Sequence, residues 1–379
     1  MTETGTSDAY DVVVVGGGPA GAAAAIILAR AGCRVLLLEG TSGKDFKIGE
    51  ALPPASRPLL QELGVWNSFV ADGHLPCYGN LSIWGSSDLH STDFIFDPNG
   101  HGWHLDRRRF DALLRREASL AGAMVSTATN LRKIVRQTSG DWVLVLTQEG
   151  REISVCCHWL LDATGRRCVI ARRQGARRQT EDTLVAFFAV FSPSDDSRRA
   201  DQDSRTLIEA APDGWWYTAL LPSKRRVVAH LTDADLSPRT SDIESRYISL
   251  LSCTERIRAC LASHRYILQM NLKVTPANTS RLDRTMGSGW LAVGDAAFSF
   301  DPLSAQGILA SLYTGMKAGE ALVEHLSGNP DTLANYDHRL AAIYNAYLRN
   351  RSTYYMSEER WAERPFWRRR RVPLMGEVH

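Results

Sequence analysis

The 379-residue chain has no pair of cysteines at C-x-x-C spacing, and its seven cysteines (Cys33, Cys77, Cys156, Cys157, Cys168, Cys253 and Cys260) are odd in number. That argues against a disulfide framework and a structural zinc site, and no metal is expected. Adjacent Cys156 and Cys157 fall in a strand-like run, where neighbouring side chains face opposite ways and each serves a structural role. A long hydrophobic run is also missing: the densest stretch, Ala20 to Ala29, is about half of what a bilayer span requires. The polar start of the chain shows neither a basic n-region nor a cleavage site, so we expect a cytoplasmic protein without a membrane partner. Charge of one sign is lacking too, with 44 basic against 42 acidic residues. Such a balance creates no field that would commit the whole protein to nucleic acid. What is present, 44% hydrophobic and 23% charged residues, is an ordinary globular composition on a chain long enough for two packed lobes.

Asp11 to Val15 is a β-branched run leading into Gly16-Gly17-Gly18-Pro19-Ala20-Gly21 and an alanine-rich helix that ends near Gly32. Arg34 to Leu38 is a second buried-strand run closed by Glu39, which completes a β-α-β unit. A helix near Arg107 to Leu120, an alternating strand around Trp142 to Leu146 and the apolar Trp159 to Leu161 before Asp162-Ala163-Thr164-Gly165 bring the chain back to that first lobe. From about Thr183 to Val274 the period drops to two, as in Leu184 to Val190, Trp215 to Leu221 and Val227 to Leu231, which predicts an antiparallel sheet. Trp290 to Val293 is one more short strand, and a helix is expected from about Ser304 to Leu326, with a helical, aromatic remainder.

The glycines fit G-x-G-x-x-G in its required context. Gly16 allows the turn, Gly18 lets backbone approach a pyrophosphate, and Gly21 lets helix pack on strand. The helix N-terminus, opened by Pro19 and Ala20, then faces the phosphates. Glu39, at the end of the second strand, is placed to accept hydrogen bonds from a ribose 2'-hydroxyl.

Further segments resemble the FAD enzymes of the p-hydroxybenzoate hydroxylase fold. They are Leu105-Asp106-Arg107-Arg108-Arg109-Phe110-Asp111, Asp162-Ala163-Thr164-Gly165, and Gly294-Asp295-Ala296-Ala297 followed by Asp301-Pro302 and Gly307. The resemblance implies an α/β protein: a Rossmann-type FAD-binding lobe, an antiparallel β-sheet substrate lobe, and C-terminal helices. It implies FAD contacts from Lys47, Arg107, Leu131, Asp162, Gly294, Asp295, Gly307 and Ile308, with Asp295 on the ribityl chain and the Gly307-Ile308 amides at the pyrimidine edge. We divide the chain into FAD-binding parts at 1–80, 104–182 and 276–326, a substrate-lobe excursion at 81–103, the sheet lobe at 183–275, and helices with a basic tail at 327–379. No second G-x-G-x-x-G is present, so electrons are expected from transiently docked reduced nicotinamide such as NADPH or from a separate flavin reductase.

Lys47-Ile48-Gly49-Glu50-Ala51-Leu52-Pro53-Pro54 resembles the G-E-x-x-x-P segment of flavin-dependent halogenases and their non-halogenating relatives. Three features of tryptophan halogenases are not matched. Their lysine roughly thirty residues beyond Gly-Glu has no counterpart between Lys47 and Lys133, where Tyr78, Gly79 and Asn80 stand instead; their P-L-E-S-T-G is replaced by Pro302-Leu303-Ser304-Ala305-Gln306-Gly307; and their W-x-W-x-I-P is only echoed by Trp215-Trp216-Tyr217 and the distant Pro222. The remaining segments, among them Gly64-Val65-Trp66, Trp84-Gly85, Gly102-Trp103-His104-Leu105-Asp106 and Glu359-Arg360-Trp361 to Phe366-Trp367, resemble the flavoproteins that hydroxylate protein tryptophan in tryptophylquinone biogenesis. The implied reaction uses dioxygen and a flavin C4a-hydroperoxide to hydroxylate an indole, with a tryptophan side chain in a peptide or protein as the favoured form. The competing expectations are a halogenase of an indole or pyrrole, a non-catalytic assembly partner, and a saturase of isoprenoid chains.

Such chemistry needs aromatic walls, for which Tyr78, Trp84, Trp215, Trp216 and Tyr217 are candidates, or else these are core aromatics. At most one of Trp215 and Trp216 can face a pocket. His101 and His104 are each a candidate base or a packed histidine, Glu50 a substrate or flavin ligand or part of a tight turn, and Asp301 a base or a helix cap. Arg364 and Arg368 to Arg371, beside Trp361, Phe366 and Trp367, form either a solvated tail or a basic aromatic surface for an acidic partner.

Overall fold

The computed structural model describes residues 9–41, 43, 46–194, 201–237 and 242–371. The start of the chain that bears on targeting, and residues 372–379 of the tail, lie outside them. The first lobe is built on an eight-stranded sheet. Its central strand Ala9–Val15 is flanked in parallel by Val35–Glu39 and by the long strand Arg151–Asp162. Trp290–Ala292 and Met124–Thr127 continue the parallel set on either side. These strands read as unbroken apolar runs because helices cover them; Val12, Val13 and Val14 are fully buried. The antiparallel pair Thr129–Arg136 and Trp142–Gln148 hangs from the first half of Arg151–Asp162.

The helices Pro19–Arg30 and Gly307–Leu326 cross at unusually close range. A Cβ on Gly315 would stand 2.0 Å from the carbonyl oxygen of Ala20, and one on Gly319 would meet Ile27 at 2.9 Å. Small residues there let the two helix backbones touch, which fixes both N-termini relative to the sheet.

The second lobe is a seven-stranded sheet with the order Tyr266–Pro276, Leu184–Pro193, Arg226–Asp233, Gly214–Leu220, Thr206–Ala211, Gly79–Ile83, His90–Asp93. The antiparallel expectation for 183–274 holds within that span, and the two early strands are added through a parallel pairing of Thr206–Ala211 with Gly79–Ile83. Two helices, Ile243–Ser252 and Arg256–Ser263, interrupt the span and cover the outer face. Strand alternation sends Phe187, Ala189 and Phe191 to that face, and Phe188 and Val190 to the inner face, against Phe46, Ile48 and Leu303 of the first lobe. The inner face is therefore the roof of the space between the lobes. Among the described residues no helix is long and apolar enough to cross a membrane, and no cluster of three metal-ligating side chains occurs.

Candidate functional site

Gly16 has φ +117°, and a Cβ there would meet the carbonyl oxygen of Ala163 at 2.1 Å, so the turn admits glycine alone. Gly21 would collide with the Gly16 carbonyl at 1.9 Å. Gly18 differs: it precedes the helix at φ −77°, and a Cβ added to it would meet nothing within 4 Å. With Pro19 at the first turn and no side-chain cap, the amides of this N-terminus are left to a ligand. Glu39 ends the second strand beside them. Its Oε2 accepts from the Gly17 amide at 3.1 Å, and its Oε1 from the amide and hydroxyl of Thr41 at 2.8 and 2.7 Å. Arg115, which sequence reasoning missed, donates to the Gly17 carbonyl at 3.0 Å. Its signal was its position two turns along the helix from Arg107. Leu131 lies half-buried on the strand next to Asn130, whose side chain closes on Gly40 just beyond Glu39.

The second uncapped helix N-terminus belongs to Gly307–Leu326. Gly307 faces open space and Ile308 is buried behind it. The preceding turn is held by Gly294, at φ +56°, whose amide donates to Thr314 Oγ1 at 3.0 Å and whose α-carbon packs on Ala20. The Asp295 carboxylate is partly exposed and the backbone oxygen of Asp295 accepts from Arg178 at 2.9 Å. Asp162, in contrast, is fully buried: it accepts from the amide and hydroxyl of Thr164 and from the amide of Ala171, so its carboxylate shapes the turn after the strand instead of reaching a ligand.

Segment 47–50 is tied to the helix Arg107–Leu120 by one carboxylate. Asp111 accepts from Lys47 Nζ at 2.6 Å and from Arg107, which also donates to the Gly49 carbonyl at 3.0 Å. Burial alone would raise the Asp111 carboxyl, but Arg107 and Lys47 hold it below its ordinary value. Glu50 itself is buried and faces Tyr217 on the roof, with which it shares a side-chain hydrogen bond. Burial pushes the Glu50 carboxyl up, against the opposing pull of backbone amides and Arg107. It pushes the Tyr217 phenol up as well, with the Glu50 charge adding to it.

The aromatic candidates separate. Trp215 is buried on the inner face and donates to the Tyr355 hydroxyl at 3.0 Å; Trp216 is on the outer face, stacked on His230 with ring centroids 4.5 Å apart. Trp84 packs edge-on against Trp215, Tyr355 and Trp367. Tyr78 is 58% exposed and meets His101 edge-on. His104 is fully buried, its Nδ1 donating to the Leu220 carbonyl at 2.9 Å and its Nε2 accepting from Thr206 at 2.8 Å. It joins the lobes as a neutral imidazole and has no free nitrogen for a base. Asp301 is fully buried and caps the turn at Pro302–Ser304 by accepting from the Leu303 amide at 2.9 Å. It also receives Tyr355 at 2.6 Å and Arg351 at 3.5 Å. Of the four catalytic candidates, Glu50 and His104 both combine burial with a partner on the roof sheet, and both ring nitrogens of His104 are engaged there.

Part of the basic tail is consumed within the fold. Arg370 is buried, bonded to Asp233 at 2.6 Å and stacked on Phe366 at 3.7 Å. Arg369 pairs with Asp233 and Asp235, and Arg371 donates to two carbonyls. Phe366 and Trp367 are core residues. Arg364 and Arg368 stay exposed.

The open cradle at Gly18, the Glu39 carboxylate beside it and the open approach to Gly307 are chemically suited to a dinucleotide cofactor held against the first lobe. The chain belongs to the FAD binding domain family, which matches residues 9–351. It is an FAD-dependent oxidoreductase, with FAD as its cofactor. It is 32% identical over 366 residues to LodB of Marinomonas mediterranea, by name an FAD-dependent oxidoreductase, with 96% of this chain and 97% of that protein covered. Among solved structures, the myxobacterial chondrochloren halogenase CndH superposes with a TM-score of 0.88 at 22% identity, covering 98% of this chain and 87% of that one. The peptidyl tryptophan dihydroxylase QhpG gives 0.78 at 24% identity, covering 98% and 80%. At these identities the structural likeness is one of fold.

Proposed function

We propose that the protein is a monooxygenase that hydroxylates an indole, in the form of a tryptophan side chain within a peptide or protein. The observation that carries this reading is the cation content of the site. No lysine occurs between Lys47 and Lys133, and the ammonium of Lys47 is engaged by Asp111 at 2.6 Å. The lysine that halogenases use to hold hypohalous acid therefore has no counterpart, and the buried acid–phenol pair Glu50–Tyr217 takes up the polar part of the roof. Hydroxylation of an electron-rich ring needs a proton acceptor and a dry chamber, not a cation.

Bound FAD supplies the reduction of dioxygen and an electrophilic oxygen atom. This chain's residues do the rest. The amides after Gly18 hold the diphosphate and Glu39 the adenosine ribose. Asp295 bonds the ribityl hydroxyls, and the amides of Gly307 and Ile308 favour negative charge on the pyrimidine edge. The Glu50 carboxylate, whose proton affinity burial raises, takes the proton released when the ring rearomatises, and Tyr217 orients it. Trp84 and Tyr217 wall the chamber while Phe46, Ile48 and Leu303 exclude water. Electrons come from reduced nicotinamide or a separate reductase.

The test is photoreduction of the holoenzyme without air, then aeration with a tryptophan-containing peptide in bromide buffer. A peptide heavier by one or two oxygen atoms supports the reading. A brominated peptide assigns the site to halogenation instead.

A further inference from the structure

Among the described residues the most exposed large apolar side chains are adjacent: Ile95 is 80% and Phe96 92% exposed. They sit on a single helical turn, Phe94–Phe96, at the end of the edge strand His90–Asp93. The turn is anchored. The Phe94 amide donates to the Tyr78 carbonyl at 2.8 Å, and the Phe94 ring reaches to 3.5 Å of where a Cβ on Gly102 would stand. The anchor fixes Ile95 and Phe96 in water instead of letting them fold inward. Gly102 opens the strand Gly102–His104 that pairs with Ala51–Leu52 directly after Glu50, so the patch adjoins the rim of the candidate site.

The charge around it is one-sided. Residues 58–106 contain six carboxylates and no lysine or arginine. Asp72 is bridged by Arg109, Glu62 by Lys317, and Asp106 caps a helix. Asp88, Asp93 and Asp97 form no ion pair within 4 Å among the described residues; Arg205, bonded to Asp203, feels the Asp93 charge from further off, and Arg57 lies over the Trp66 ring at 5.0 Å. An apolar centre with an unpaired acidic surround is complementary to an apolar segment flanked by lysine or arginine.

We infer that the Ile95–Phe96 turn with Asp93, Asp97 and Asp88 is the docking surface for a polypeptide substrate whose tryptophan is carried by a basic, apolar segment. This rests on the peptide hydroxylation proposed above and names the chemistry of its partner. It also reverses the charge sense expected from the arginine tail, whose cations are partly consumed within the fold.

The experiment measures binding to oxidised holoenzyme by anisotropy, using a labelled peptide with tryptophan between two leucines and two lysines on each side, and its glutamate-flanked counterpart. The lysine peptide should bind about ten-fold tighter, with a preference that shrinks as salt rises. D88N/D93N/D97N should abolish the preference. I95S/F96S, which removes only solvent-exposed side chains, should weaken both peptides about ten-fold and leave FAD titration unchanged. Equal binding of the two peptides, or unaltered binding by I95S/F96S, overturns the inference. So does Phe96-dependent binding to vesicles of phosphatidylcholine and phosphatidylglycerol in place of peptide, or Phe96-dependent self-association in sedimentation. A peptide that docks as described yet never gains oxygen leaves the surface standing and removes the hydroxylation reading; a peptide that gains oxygen equally well in I95S/F96S does the reverse.

Discussion

Tyr355 donates its phenolic hydrogen to Oδ2 of Asp301 at 2.6 Å. The same hydroxyl accepts from Trp215 Nε1 at 3.0 Å, and Arg351 links Asp301 to Asp182. A C-terminal helix thus joins the roof of one lobe to the Pro302 turn of the other through one oxygen atom. Tyr355→Phe leaves a buried indole N–H without a partner and removes a donor from a buried carboxylate. The expected loss is about 1–3 kcal/mol, read as a lowered midpoint in urea at unchanged slope.

Gly18 and Gly16 separate cofactor binding from folding. The Cβ of Gly18→Ala meets no protein atom within 4 Å, so the apoprotein should melt normally while FAD affinity falls in fluorescence titration. Gly16→Val, forced against the Ala163 carbonyl at 2.1 Å and into a left-handed backbone, should lower the melting temperature of the apoprotein itself. Equal melting of the two variants would contradict the cradle geometry.

Asp111 is the shared acceptor of Arg107 and Lys47. Asp111→Asn leaves the largely buried Arg107 uncompensated and should cost about 3–5 kcal/mol, less a discount because the Lys47 side chain is 53% exposed. Because the folded carboxyl lies below its ordinary value, its stabilisation is present at neutral pH and is lost as pH falls through that depressed value. Acid unfolding of the wild type should therefore be steeper than that of Asp111→Asn at the low-pH end.

His104 acts in the same pH direction through the opposite charge. Burial lowers it from 6.5 to about 4, so between those values the unfolded chain holds a proton that the folded one refuses. Stability should fall by roughly 3 kcal/mol as pH drops through this window, from about 1.4 kcal/mol per unit of pKa difference. His230, lowered to about 3 by burial, adds to the fall. His104→Gln should flatten the pH dependence of the melting temperature.

Glu50→Gln keeps the shape of the site and removes its proton acceptor. Turnover should drop by about 10²–10⁴-fold and the acid limb of the pH–rate profile should vanish. Tyr217→Phe should move that limb upward, because the phenol favours the ionised form of Glu50. Unchanged profiles in both variants would place the acceptor elsewhere.

Much of the nucleotide half was legible from short-range rules. Gly16 and Gly21 each do a steric job that spacing encodes, and apolar runs announce strands covered on both faces. Strand alternation likewise sent Trp215 and Trp216 to opposite sides. What could not be read was the partner of each polar group. Asp162 and Asp301 sit in motif segments, yet their carboxylates are satisfied by turn amides and by residues as remote as Tyr355. His104 is bound by Leu220 and Thr206, more than a hundred residues away. The arginine tail looked like surface because Asp233 and Asp235, which neutralise it, lie far back in the chain. Hydrogen bonds across such separations leave no periodic trace in sequence.

Burial of Phe366, Trp367 and Arg370 against the roof sheet has a consequence for biosynthesis. The sheet strands are made before the segment that covers them, so their inner face stays uncovered until residues 366–370 have been synthesised. A chain ending after Met356 would leave that face open to water as an aggregation seed.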